Sequence, residues 1–502
     1  MASQITTSHR IALTVGSWLA LLVCATSTAI AQPIEIDPRE AGAPEHMDAR
    51  GELYVESQGA KPARRLTLDA ALALSVKKNL DVEVARYEPA IAEQDMMGAW
   101  GAYDPTFSAS GGYRLSESPR TSFAVGDAKD QTRVINAASS LTGLLPYIGA
   151  TLGVEVETSR SKGNFSFESL SPKYDSSIFL TAKIPLLRGL IWNEPWTQVK
   201  VSKIGYFASL DGFREAVMDI TESTINIYWK LVADREQLGV AIKSLETAQA
   251  LLGQTETQFE VGVVSKVEVV EAEAGVADRE FKLIVAQNTF ENSGDELIDA
   301  VLGRELKATT NFRLQPADDP ENYEIRDVNV ERAVATAFAK LPELSRADRA
   351  IEQREVQLKF AKNLRLPQFD IDARYGYVNK SGNANSRSPA PPPSSVTGSY
   401  RKSYNDMFMD DGFENYSVIG TLSIPIPNRA ARHNVTRGEI DLRRARSLKS
   451  RTEQDVILDV RSAARGILAS ARGIEAAERR RLAAEEQLRA ERIRLEIGRA
   501  HV

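Results

Sequence analysis

Cysteine is almost missing from this chain: the only one among 502 residues is Cys24, inside the first apolar stretch. Once that stretch is removed no thiol remains, which excludes disulfides and Cys-ligated metals. Aromatic residues are sparse at 7%, while charged residues reach 26%. That balance favours a helix-rich, extended architecture over one large core. Beyond the N-terminus, no run approaches the roughly 20 apolar residues of a membrane-spanning helix. A bilayer-crossing form must therefore be a closed barrel, the other structure that satisfies every backbone group in lipid. The net charge of −6 gives no case for nucleic acid. The four histidines (His9, His46, His433 and His501) lie far apart, with no second ligand at zinc-binding spacing. Neither a phosphate-cradling glycine loop nor a G-x-S-x-G elbow occurs. The sequence thus offers no catalytic residue, metal site or cofactor site, and the expectation is a protein that is not an enzyme.

Residues 1–31 read as an export signal. His9 and Arg10 precede an apolar run from Ile11 to Ala25, and Ala29-Ile30-Ala31 is an A-x-A cleavage site. Val23 before Cys24 is a poor residue for lipid attachment, which argues against a lipoprotein. A polar, Pro- and Gly-punctuated lead over residues 32–65 follows.

The remainder says nearly the same thing twice. Leu66-Thr67-Leu68-Asp69-Ala70-Ala71 opens a helical pattern, with a break expected near Asn79, ending at Asp104-Pro105-Thr106-Phe107. Val328-Asn329-Val330-Glu331-Arg332-Ala333 opens another, ending at Leu366-Pro367-Gln368-Phe369. Each half then has alternating strand residues, an Ile-Pro stop (Ile184-Pro185, Ile424-Pro425) and a long helical run. The period is too long for a solenoid, so a whole helix–strand–strand–helix unit has been duplicated, over 66–327 and 328–502.

Strands are expected over about 104–186 in the first half, and over about 367–378 and 416–426 in the second. Phe369, Ile371, Ala373, Tyr375 and Tyr377 alternate with Asp370, Asp372, Arg374 and Gly376; Tyr416, Val418, Gly420, Leu422 and Ile424 alternate with Ser417, Ile419, Thr421 and Ser423. A soluble sandwich would also alternate, but a few strands per half are too few for a sandwich core. A barrel wall fits better, with Phe369, Ile371, Tyr375, Tyr377, Tyr416 and Val418 facing lipid and Asp370, Asp372 and Arg374 lining a wet lumen. The carboxylates of Asp370 and Asp372, on one strand face beside Arg374, read as hydrated wall rather than as acid and base. The first half has an extra pair of strand-like pieces, near Val134–Leu141 and Thr151–Glu157. Asn379 to Glu414, with its Pro- and Ser-rich centre, reads as a long exposed loop.

Helices make up the bulk. Trp196 to Phe259 contains no proline and would extend about 95 Å. Arg429 to Arg494 is similar, and its Glu478-Arg479-Arg480-Arg481 run, flanked by glutamates, reads as a solvated coiled-coil face. Gly262 suits the turn of a hairpin, and Ser265 with Glu268 suits the cap of the returning helix.

Taken together the chain resembles the TolC-type outer-membrane efflux family across nearly all of Leu66 to Gly498. The carriers are the twin openings, Ile184-Pro185-Leu186-Leu187-Arg188-Gly189, Ile424-Pro425-Ile426-Pro427-Asn428-Arg429, Ile227-Tyr228-Trp229-Lys230-Leu231, and Gln258-Phe259-Glu260-Val261-Gly262-Val263-Val264-Ser265 with Glu268-Val269-Val270-Glu271-Ala272 after it. The resemblance implies a mixed α and β homotrimer, in which long coiled-coil helices form a periplasmic α-barrel and strands complete a β-barrel in outer-membrane lipid. It implies a passive export conduit of a Gram-negative bacterium, joined by a periplasmic adaptor to an inner-membrane pump. The hairpin tip at Gly262, Val263, Val264 and Ser265, with Gly498 in the second copy, would be the docking point. The alternative is a periplasmic coiled-coil adaptor or scaffold with a small soluble β-domain. Two departures stand out. The extra strand pair exceeds the family's usual two strands per copy. The second copy also stops soon after Gly498 without a returning helix, and its ending, Glu496 to Val502, is what a common sequencing adapter encodes in one frame. That pattern is expected of a truncated C-terminus. The exported solute is not legible.

Overall fold

The computed structural model describes residues 54–55, 63–119, 129–164, 168–307, 312–323, 328–386, 388, 398–409 and 412–500. The expected signal at 1–31 lies outside these. The polar lead expected through Arg65 ends in structure: strands β1 (Tyr54–Val55) and β2 (Ala63–Leu66) join β7 (Arg313–Pro316) in a small sheet, with β2 parallel to β7.

Each copy opens with a pair of helices. In the first these are α1 (Leu68–Lys78) and α2 (Leu80–Gly98); in the second, α5 (Val330–Lys340) and α6 (Pro342–Leu364). The start signals repeat. The Thr67 hydroxyl accepts from the Ala70 N–H at 3.3 Å, and the Asn329 side-chain oxygen accepts from the Arg332 N–H at 2.9 Å. The expected break near Asn79 is real: its N–H still bonds Ser75 O while its side chain caps α2.

Between the helix pairs lie β3 (Thr106–Pro119), β4 (Lys129–Leu144), β5 (Thr151–Gly163) and β6 (Leu170–Pro185) in the first copy, and β8 (Gln368–Ala384) and β9 (Phe413–Ser423) in the second. All six form one antiparallel sheet in the order β3-β4-β5-β6-β8-β9, so the two copies are joined at β6–β8. The loop expected over Asn379–Glu414 is shorter than the composition suggested. β8 runs on to Ala384, and a short helix α7 (Tyr400–Met409) packs on the sheet, with its Ser403 hydroxyl donating to Asn379 O.

After the strands come the long helices: α3 (Glu194–Glu260) and its return α4 (Lys266–Leu302) in the first copy, and α8 (Arg429–Ala500) in the second. With 67 and 72 residues, α3 and α8 extend about 100 Å and 108 Å. The main hydrophobic core sits where α1, α3 and α4 meet the small sheet. Leu66, Ala71, Tyr228, Leu231, Leu297, Val301 and Leu314 close around each other there. Tyr228, the centre of the Ile227-Tyr228-Trp229 motif, is fully buried and donates to Leu66 O at 2.9 Å and to the Asp318 carboxylate at 2.5 Å. That carboxylate also accepts from the Leu68 N–H at 2.7 Å, so one aspartate ties the long helix to the start of α1.

Candidate functional site

Strand register decides which side chains share a face, because paired residues in a ladder point the same way and the period is 2. Tyr375 opposes Tyr416, Ala373 opposes Val418 and Phe369 opposes Leu422. On the other side of β8, Ile371 opposes Ile184 and Tyr375 opposes Leu180. Leu180 and Ile178 oppose Val154 and Val156, which lead to Leu141 and then Phe107. One face of the sheet is therefore apolar from edge to edge. It contains all six residues expected to face lipid: Phe369, Ile371, Tyr375, Tyr377, Tyr416 and Val418. From Phe369 to Tyr377 the band would stand about 21 Å tall at the usual barrel tilt, close to an outer-membrane apolar belt.

Asp370, Asp372 and Arg374 lie on the opposite face, and the structure separates their roles. Asp370 is only 4% exposed and accepts from Gln368 Nε2 at 2.7 Å, with Lys183 Nζ at 3.4 Å. It is a paired structural carboxylate. Asp372 is half-buried on the same face, opposite Lys183 in the ladder. Arg374 pairs with Glu155 of β5 at 3.3 Å and stacks on the Phe179 ring at 3.6 Å. That ring lies over Gly376, where a Cβ would meet Ile178 O at 2.0 Å. Lys183, Glu155 and Phe179 were not singled out from sequence. Their alternation in β5 and β6 was legible, but their pairing across copies depends on register.

Two tryptophans and two tyrosines cluster where strands give way to helices. Trp196, in the first turn of α3, is 4.7 Å from the Tyr147 ring and 6.0 Å from Trp100, which is in turn 5.7 Å from Tyr103. Such a cluster below an apolar band matches an interfacial aromatic girdle.

At the far end of the long helices, the α3–α4 turn is built as the sequence suggested. Gly262 has φ 80°, its N–H bonds Phe259 O at 2.9 Å, and the Val263 N–H bonds Gln258 O at 2.9 Å. This is a Schellman cap with glycine at the left-handed position. The Glu268 carboxylate accepts from the Ser265 N–H at 3.3 Å and from its hydroxyl at 3.2 Å. Val263 is 73% exposed, and Val261, Val267 and Val270 are exposed beside it, while Val264 is half-buried. Gly498 behaves differently. It lies within α8, which continues to Ala500, so no second turn forms there.

No described helix is long and apolar enough to cross a membrane. The fold defines an architectural class of its own: strands with one apolar and one polar face, carried on a long helical extension. The family model for outer membrane efflux proteins matches residues 131–301 and again 333–502, well over half of the chain in two copies. The chain belongs to that family. Its fold is similar to the solved structures of CusC (TM-score 0.55, 13% identity, 83% of this chain and 79% of that one) and of the outer-membrane channel OprN (0.53, 14%, 81% and 74%). A membrane protein from Pseudomonas aeruginosa is similar too (0.52, 12%, 80% and 74%). No curated protein sequence matches the chain.

Proposed function

We propose that this chain is the outer-membrane component of a tripartite efflux or type I secretion system, a passive trimeric conduit that reaches into the periplasm. The observation that carries the reading is an apolar band that crosses one face of the sheet from edge to edge, with β3 and β9 lacking an outer strand partner among the described residues. Tyr416 and Val418 on β9 are 78% and 72% exposed, and Phe107 and Tyr113 on β3 are exposed as well. In lipid an open edge leaves backbone N–H and C=O groups unsatisfied, which is costly. Strand directions alternate across the six, so β9 of one copy runs antiparallel to β3 of the next and the ring closes without a parallel pair. A soluble β-domain, as in an adaptor or scaffold, would need a second layer over the apolar face. Among the described residues only α7 lies on the sheet, at the end away from the long helices.

In this reading solutes pass along the polar face, with Asp372, Arg374 and Glu155 at the wall, while Val261, Gly262, Val263, Val264 and Ser265 dock a periplasmic adaptor partnered with an inner-membrane pump. The chain supplies no energy, only a continuous water path. One cysteine within Thr106–Gly112 combined with a second within Val418–Leu422 of the same chain tests the closure. Oxidation should lock the copies into a disulfide-linked trimer in the outer-membrane fraction that survives heating until it is reduced. A monomer in the soluble periplasmic extract would overturn the reading.

A further inference from the structure

The two copies contribute unequally to the sheet, and the inequality is localised. β8 and β9 are neighbours, paired from Gln368↔Ser423 to Val378↔Phe413. Their counterparts in the first copy are β3, which follows the helix pair, and β6, which leads through Ile184-Pro185 into the long helix. These two never touch: β4 and β5 stand between them. The additional hairpin is fully built into the wall. β4 pairs with β3 from Thr106↔Thr142 to Pro119↔Lys129, and with β5 from Leu144↔Thr151 to Thr132↔Gly163, without a register shift. It continues both faces of the sheet. Leu141, Val154 and Val156 extend the apolar side. Ser140 on the polar side meets the Ser108 hydroxyl at 2.7 Å, and Glu155 reaches across β6 to Arg374.

Its turn is anchored as well. Leu145 N–H bonds Ala150 O at 2.7 Å, and Tyr147 adopts φ 72° with its ring against Trp196. Gly149 (φ 58°) sits so close to the loop before α3 that a Cβ would lie 2.4 Å from Gly189 O. A hairpin tied by its turn to the start of the long helix, and by Glu155 to the second copy, is a permanent wall element rather than a flap.

We infer that β4–β5 is an inserted hairpin that widens the membrane pore, so that the outer-membrane exit admits bulkier hydrated cargo than a four-strand contribution from each chain would. The inference rests on the trimeric reading above. Three six-stranded sheets make an eighteen-stranded ring, about 36 Å across between backbones at usual strand spacing and tilt. Without the hairpin, four strands per chain would close at about 24 Å by the same geometry. The two added strands leave the parity of the sheet unchanged, so the insertion alters only the girth.

Two measurements on the full-length chain test this. Electron cryomicroscopy of the purified protein in lipid nanodiscs should show a trimeric ring of eighteen strands. In parallel, Ser140→Cys should react from the outside with a maleimide bearing a polymer about 20 Å across, which fits the wider ring only, while Leu141→Cys should react only with a lipid-phase reagent. A trimer with a twelve-stranded ring, or one whose Ser140→Cys excludes the polymer reagent, overturns the widened exit and leaves the conduit standing. Absence of any trimeric ring overturns the conduit itself, and the widened exit with it.

Discussion

Tyr228 shows how a single hydroxyl holds distant parts of this chain. It is completely buried, and burial together with the hydrogen bond to Asp318 pushes its ionisation well above the ordinary tyrosine range. It therefore stays a neutral donor at all physiological pH. Tyr228→Phe keeps the ring and removes only the bonds to Asp318 and Leu66 O, leaving the carboxylate short of one partner. A loss of about 1.5–3 kcal/mol is expected, the range for a hydrogen bond to a charged group; denaturant unfolding of the detergent-solubilised protein would measure it. The wall carboxylates separate in a similar way. Asp372→Asn should reduce cation preference in single-channel recordings with folding intact. Asp370→Asn should both lower stability and leave Lys183 without its 3.4 Å partner, moving selectivity further toward anions. Equal, purely electrical effects of the two changes would show that the buried and half-buried positions do not differ as described.

Among the elements, those with a local chemical signature were readable from sequence. Asn79, Ser265 with Glu268, and Gly262 each announce a helix end because capping is decided within four or five residues. The alternation of β8 and β9 was equally local, and its assignment of six apolar residues to one face follows from period 2 alone. What stayed illegible depended on partners far along the chain. The pairing of Arg374 with Glu155 needs the order of strands, and the burial of Asp370 needs Lys183 from another copy of the repeat. α7 was hidden because its ten residues sit in a Pro- and Ser-rich segment, and only packing on β6 and β8 holds it. The tip offers the clearest test at this scale. Gly262→Val places a β-branched residue at φ 80° and would cost about 1–3 kcal/mol locally. The tip lies about 100 Å from the strands along α3, so the variant should still trimerise, while its binding to a membrane-fusion adaptor, read by co-purification, should weaken. Loss of the trimer itself would place the tip in assembly rather than docking.

For the molecule as a whole, the duplication poses the question of how two copies hold together below the sheet. The answer is a polar seam between α3 and α6. Ser345 Oγ donates to Asp211 Oδ2 at 2.6 Å, Arg214 reaches the same carboxylate at 3.0 Å, and Arg346 pairs with Glu215. Glu343 is the poorly accommodated member of this seam. Partial burial, followed by the negative charges of Glu215, Asp459 and Asp455, raises its affinity for a proton above the ordinary glutamate range, and Arg346 offsets only part of this. A carboxyl whose folded pKa is raised is neutral in both states below the unfolded value, so there it costs nothing. As pH rises through the unfolded and then the folded value, the native state must carry a charge it disfavours, and stability falls. Glu343→Gln removes that penalty. Its thermal midpoint should therefore exceed that of the parent chain at neutral pH, with the gap narrowing to nothing as pH drops through the carboxylate range. The side chain is largely exposed, so the gain is modest and should shrink further as salt screens the neighbouring charges. A circular-dichroism melting series across pH, at low and high ionic strength, reads both trends. A gap that stayed constant with pH would mean that the two copies meet without the charge repulsion assigned to Glu343.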